Sequence, residues 1–115
     1  MKKKNVIEQN YLEKIPSHKE DIGWNTDGEG IVTLEIENKG FMNKLAQKLF
    51  KKPKISYIHL DALGSFIWPL IDGEKSILVI GEAVDAHFGE RAHPLYERLA
   101  KFFRILESYN FINMK

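Results

Sequence analysis

The 115-residue chain has no cysteine. It therefore builds no disulfide, carries no thiolate nucleophile and offers no cysteine ligands to zinc or an iron–sulfur cluster. Long apolar runs are missing too, since none approaches the roughly 20 residues that cross a bilayer. Met1-Lys2-Lys3-Lys4 leads into Asn5 and Glu8 rather than into the apolar core of a signal peptide, so a cytoplasmic location is expected. Charge of one sign is also scarce. With 17 basic and 16 acidic residues the formal net charge is +1, and nucleic acid, whose binding draws on phosphate neutralisation, is not expected as a partner. The remaining composition, 43% hydrophobic and 29% charged, is that of a folded domain, and the length suits one core rather than two.

Catalytic constellations are equally thin. His18, His59, His87 and His93 form no helical i, i+4 pair of the zincin type. His59 and Asp61 would share a face of a continuous strand, as two metal ligands might, but Asp61 is better explained as a helix cap. Ser17-His18 and Asp21 fall within one loop without the spacing of a nucleophile, a base and an orienting group. The glycines at 23, 28 and 30 belong to a hairpin, and no lysine follows in the position of a phosphate-binding loop. Glu35 and Glu37 lie on the wet face of a strand. No catalytic residue, metal site or cofactor is expected.

What the chain does have is concentrated between Leu60 and Asn110, where two glycine-bearing turns divide three amphipathic segments. Leu63, Phe66, Ile67, Leu70 and Ile71 recur at helical spacing, with Asp61 as cap and Asp72-Gly73 as terminator. Pro69 conflicts with that helix: it removes the donor that would reach Ser65 and costs about 3 kcal/mol in a helix interior. The helix is expected to kink or end there, and the neighbouring Trp68 to be a core or domain-edge residue. The second segment has Ser76 as N-cap, a stripe of Ile77, Ile80, Val84 and Phe88, and Gly89 as its stop. The third begins at Pro94, with Leu95, Leu99, Phe102, Phe103 and Leu106 opposite Glu97, Arg98, Lys101 and Arg104. None of the three buries its stripe alone, so they are expected to pack together.

Before them the period changes from helical to alternating. Asp27-Gly28-Glu29-Gly30 reads as a turn between Ile22-Gly23-Trp24 and a strand from Ile31 to Glu37, in which Val32, Leu34 and Ile36 face inward. Two strands are marginal in water, and Ile55 to Leu60, entered from Pro53, supplies a third. Residues 1–21 read as a tail or a short helix carrying Val6, Ile7, Tyr11, Leu12 and Ile15, ended at Ile15-Pro16. Residues 39–54 place Phe41, Leu45 and Leu49 on one helical stripe among lysines with no acid, a basic helical insertion. Its apolar stripe is expected to dock on the sheet, the other reading being contact with a membrane surface or an acidic partner. The expected whole is a single domain over residues 22–115.

Leu60-Asp61, Gly64, Ile67-Trp68 and Asp72-Gly73, then His87-Phe88-Gly89 and a long apolar-striped helix, resemble the PqqD family over roughly residues 55–112. That family comprises coenzyme PQQ synthesis protein D and the peptide-recognition domains of ribosomally made, modified peptides. The resemblance implies an α+β, winged-helix-like fold: a small antiparallel three-stranded sheet followed by a three-helix bundle. It also implies a protein without catalysis of its own. Its partners would be the leader segment of a precursor peptide and a maturase enzyme, often a radical SAM protein.

An edge strand is a template for an extended peptide, because its outer N–H and C=O groups are unpaired. If Ile55, Ser56, Tyr57, Ile58 and His59 form that edge, a bound peptide would dip alternate side chains against Leu95, Leu99, Phe102 and Phe103 of the third helix. The resemblance implies a groove between the same two elements. Two other readings are an interaction adaptor without leader-peptide recognition and a winged helix on DNA. The second is weakened by Glu97 and Glu107, which offset Arg98, Lys101 and Arg104.

Overall fold

A computed structural model describes residues 10–37 and 55–115. The basic insertion expected over 39–54 lies outside the described residues, as do Val6 and Ile7. The described residues form five strands: β1 (Pro16–His18), β2 (Gly23–Thr26), β3 (Val32–Glu37), β4 (Ile55–His59) and β5 (Ile112–Met114). Three α-helices lie between β4 and β5: α1 (Ala62–Ile67), α2 (Ile77–Phe88) and α3 (Leu95–Ser108). The fold is α+β, with a small antiparallel sheet and helices after it, and is compatible with a winged-helix-like arrangement.

The hairpin forms because Asp27 closes its turn. Its Oδ1 accepts the backbone N–H groups of Glu29 at 2.8 Å and Ile31 at 3.0 Å. These donors hold the Asp27 carboxyl below the usual carboxylate range. The sheet runs in the order β2-β3-β4, all antiparallel, so β3 is its centre. Val32 and Leu34 are completely buried, as their inward alternation requires, while Thr33 and Glu35 are half-buried on the other face.

Helix α1 starts where Asp61 accepts the Gly64 N–H at 2.8 Å. It stops at Ile67, and Trp68–Leu70 continue as a 3-10 turn around Pro69. Ser65 ties this helix to the sheet. Its hydroxyl accepts the Val32 N–H at 2.9 Å and donates to the Leu60 carbonyl at 3.2 Å. Ser76 caps α2 by accepting the Val79 N–H at 3.2 Å. Ile77, Ile80 and Val84 of α2 are fully buried against Leu99 and Phe103 of α3 in one core. Gly81 permits that contact, for a methyl group on it would stand 2.6 Å from Leu99 Cδ1.

Of the stretch expected as a tail or a short helix, residues 10–12 are helical, Tyr11 and Leu12 are buried, and Tyr11 Oη donates to Glu107 of α3 at 2.6 Å. Residues 16–18 form β1, which pairs antiparallel with β5 as a second, two-stranded sheet. Pro16 has no donor to offer on the outer side of β1, and its carbonyl accepts the Gly73 N–H at 3.0 Å. The turn into β5 passes through Asn110 at φ 61°, a left-handed conformation that asparagine tolerates at a helix end.

Candidate peptide-binding edge

Strand β4 pairs with β3 alone among the described residues. The parity of this pairing decides which backbone groups face out. Leu60 N donates to Val32 O at 2.9 Å, and the register continues as Ile58 opposite Leu34 and Ser56 opposite Ile36. In an antiparallel ladder hydrogen-bonded pairs alternate with non-bonded ones, so 60, 58 and 56 point their N–H and C=O groups at β3. Ile55, Tyr57 and His59 point theirs the opposite way.

The side chains divide just as cleanly. Ile58 shares the core face with Leu34, yet remains 37% exposed while Leu34 is at 0%. Among the described residues the apolar face of the sheet is thus covered at Leu34 of β3 and more open at Ile58 of β4. Tyr57, on the outer face opposite Glu35, is 61% exposed. His59 is exposed beside Thr33, its Nδ1 2.8 Å from the Thr33 hydroxyl. Asp61 is engaged as the cap of α1 through its Oδ1. No group of three or more His, Cys, Asp or Glu side chains suited to a metal occurs among the described residues.

The expected residues of α3 fall into two classes. Phe102 is half-buried at the corner of β4 and α1: a methyl group on Gly64 would stand 3.0 Å from Phe102 Cε1 and 3.3 Å from Leu60 Cβ. Leu95 is also half-buried. Leu99 and Phe103 are at 0% exposure and belong to the core, where they support the helix from behind. The basic residues of α3 are partly committed elsewhere. Arg104 lies 4.9 Å from the centre of the Tyr11 ring, and Arg98 donates to the Arg91 carbonyl at 2.7 Å. Of the three cations of this helix two are thus turned to its own chain, which leaves Lys101 as the one exposed without such a contact among the described residues, a weak footprint for phosphates.

Sequence reasoning gave His18 no role, but the fold places it in an aromatic cluster at the β2 side of the sheet. Its ring stacks on Trp68 at 4.1 Å and 14°, and Trp24 meets it edge-on at 5.7 Å. The two ring pairs join strands β1 and β2 to the end of α1, a proximity that spacing along the chain does not reveal. His18 Nε2 lies 2.8 Å from the Trp68 carbonyl, which suits a neutral ring donating there. Burial lowers the His18 pKa from the usual 6.5, and the carbonyl contact offsets part of that. The unfolded chain therefore takes up the proton more readily than the folded one. Stability from this group is fully present above pH 6.5 and is lost as acidification proceeds through the lower, folded pKa. Urea midpoints measured on either side of this window should fall toward acid in the native protein, and this component of the fall should vanish in His18→Gln.

Compared with known families, residues 31–112 match the model of the family described as coenzyme PQQ synthesis protein D (PqqD). No curated protein and no solved structure matches the chain. The matched span begins with β3 and contains β4, helices α1, α2 and α3 and the turn into β5. No described helix is long and apolar enough to cross a membrane.

Proposed function

The chain belongs to the PqqD family, whose model covers most of it, and on that premise we propose that it captures the leader segment of a precursor peptide as an added strand along β4. At family level the role is peptide binding in the making of PQQ and related modified peptides, by an accessory protein rather than a catalyst. The observation that carries the finer reading is the outer rim of β4: a five-residue strand whose backbone groups at Ile55, Tyr57 and His59 face away from β3, its one strand partner among the described residues. A guest strand paired there gains main-chain hydrogen bonds from these residues. Its alternate side chains meet Ile58 on the core face, with Phe102 and Leu95 as the helical wall and Leu99 and Phe103 behind them. Ser56 lies between the outward-facing positions and keeps the ladder to β3. The bound leader is then presented to a modifying enzyme, a radical SAM maturase being the partner class the family suggests.

Titration of the isotope-labelled protein with a synthetic leader segment tests this directly. The expected result is saturable movement of the Ile55, Tyr57 and His59 amides together with those around Phe102. Amides of Ser56 and Ile58, already held by β3, should move less. Shifts confined to β1, β2 and β5 would refute addition at β4, and an adaptor without leader recognition would leave the β4 amides where they are.

A further inference from the structure

On the flank of α1 away from Phe102 the structure holds a second feature, which the β4 reading does not use. Ala62, Ser65, Phe66 and Pro69 lie at i, i+3, i+4 and i+7, one stripe of the helix and its 3-10 extension, and they form one wall of a hollow of about 360 Å³. The β2–β3 turn, with Glu29 and Ile31, closes one side, and His87 and Phe88 at the end of α2 close the other. Three rings meet there. Phe66 and His87 stack at 4.5 Å and 15°, and Phe88 stands edge-on to both, at 5.4 Å from Phe66 and 4.7 Å from His87.

The lining is apolar and aromatic except at one edge. Ser65 is already committed at its hydroxyl, to Val32 and Leu60. Glu29 is exposed, and its carboxylate forms no ion pair among the described residues. The C-terminal turn of α2 also presents the carbonyl end of a helix, which favours positive charge. A visiting group that satisfies this hollow has an apolar stem for Ala62 and Pro69, a flat head for the rings and a positive charge for Glu29. Arginine has all three, whereas lysine lacks the plane and phenylalanine the charge. The same ring cluster already attracts a guanidinium from outside the hollow: Arg91 lies 5.2 Å from the centre of the Phe88 ring and donates to the Phe88 carbonyl at 3.3 Å.

We infer that this hollow is a second recognition site, which receives an arginine side chain from a partner protein. It is separated from the β4 rim by the body of α1, so both sites can be filled at once. The guest strand occupies one flank of that helix and the partner's arginine the other.

The probe is Nα-acetyl-arginine N-methylamide, titrated into the full labelled chain, with the citrulline analogue as an uncharged match of nearly the same shape. Saturable shifts are expected at Gly30, Ile31, Phe66 and His87. Glu29→Gln, a change in an exposed turn, should weaken arginine binding by about two- to five-fold, as loss of an exposed charge pair does, and leave citrulline binding unchanged. Equal binding of arginine and citrulline, an unaltered Glu29→Gln titration, or no shift at these amides would each overturn the assignment. None of these results bears on strand addition at β4, which has its own titration.

Discussion

Tyr57→Pro is expected to fold normally and to bind the leader segment about ten- to a hundred-fold more weakly, as when a hydrogen bond is lost and a guest carbonyl left unsatisfied. The parity of the β3–β4 ladder sets this outcome. Tyr57 occupies a non-hydrogen-bonded pair with Glu35, so its N–H is directed away from β3. Proline at that position removes a donor the native ladder does not use, and proline is tolerated on edge strands for that reason. The preceding residue is already extended, as a residue before proline prefers. One position later the outcome reverses. Ile58→Pro removes the donor to Leu34 and should destabilise the sheet itself, seen as a lowered thermal midpoint by circular dichroism. A Tyr57→Pro protein that binds leader peptide as well as the parent would sink the assignment of β4 as the docking rim.

The largest expected loss of stability is at Trp68. Its side chain is at 0% exposure, stacked on His18 and approached edge-on by Trp24 at 6.5 Å. Trp68→Ala should cost about 3–5 kcal/mol, as other large-to-small aromatic truncations in cores do. Domains of this size are stable by only about 5–15 kcal/mol, so the variant sits close to unfolding. Trp68→Phe should be much milder. The indole Nε1 is buried and finds no acceptor among the described residues, so phenylalanine gives up ring area but also removes an unsatisfied donor. Urea denaturation of the two variants separates the contributions. Equal losses would mean that the indole's second ring, rather than burial of an aromatic at that place, carries the effect.

Much of the helical region was legible because its signals are local. Asp61, Ser76 and Gly89 mark helix ends through their own side chains or backbone, and Pro69 interrupts α1 through chemistry that needs no neighbour. The β2–β3 hairpin was legible for the same reason, its turn being closed by Asp27 within five residues. Strands β1 and β5 were not. Each is three residues long and acquires meaning only from a partner almost a hundred positions away, with Pro16 opposite Met114. No alternation can be read in three residues. At the candidate site the strand was legible and the helical wall only in part. Leu95, Leu99, Phe102 and Phe103 share a stripe, but which members turn fully inward depends on the close approach of α2 at Gly81 and of α1 at Gly64. The hollow by Glu29 left no trace in the sequence, because its walls come from three separated stretches.

The proline that opens β1 has a consequence for solubility. An exposed ribbon of backbone invites self-association into fibrils, and a protein that keeps one such ribbon available needs its others made unattractive. Pro16, with no N–H and with its carbonyl taken by Gly73, withdraws β1 from that hazard, while β2 and β5 are too short, at four and three residues, to seed much growth. Among the described residues the longest open rim is then that of β4, the one proposed for a foreign strand, and the shorter edges give copies of the molecule less to join.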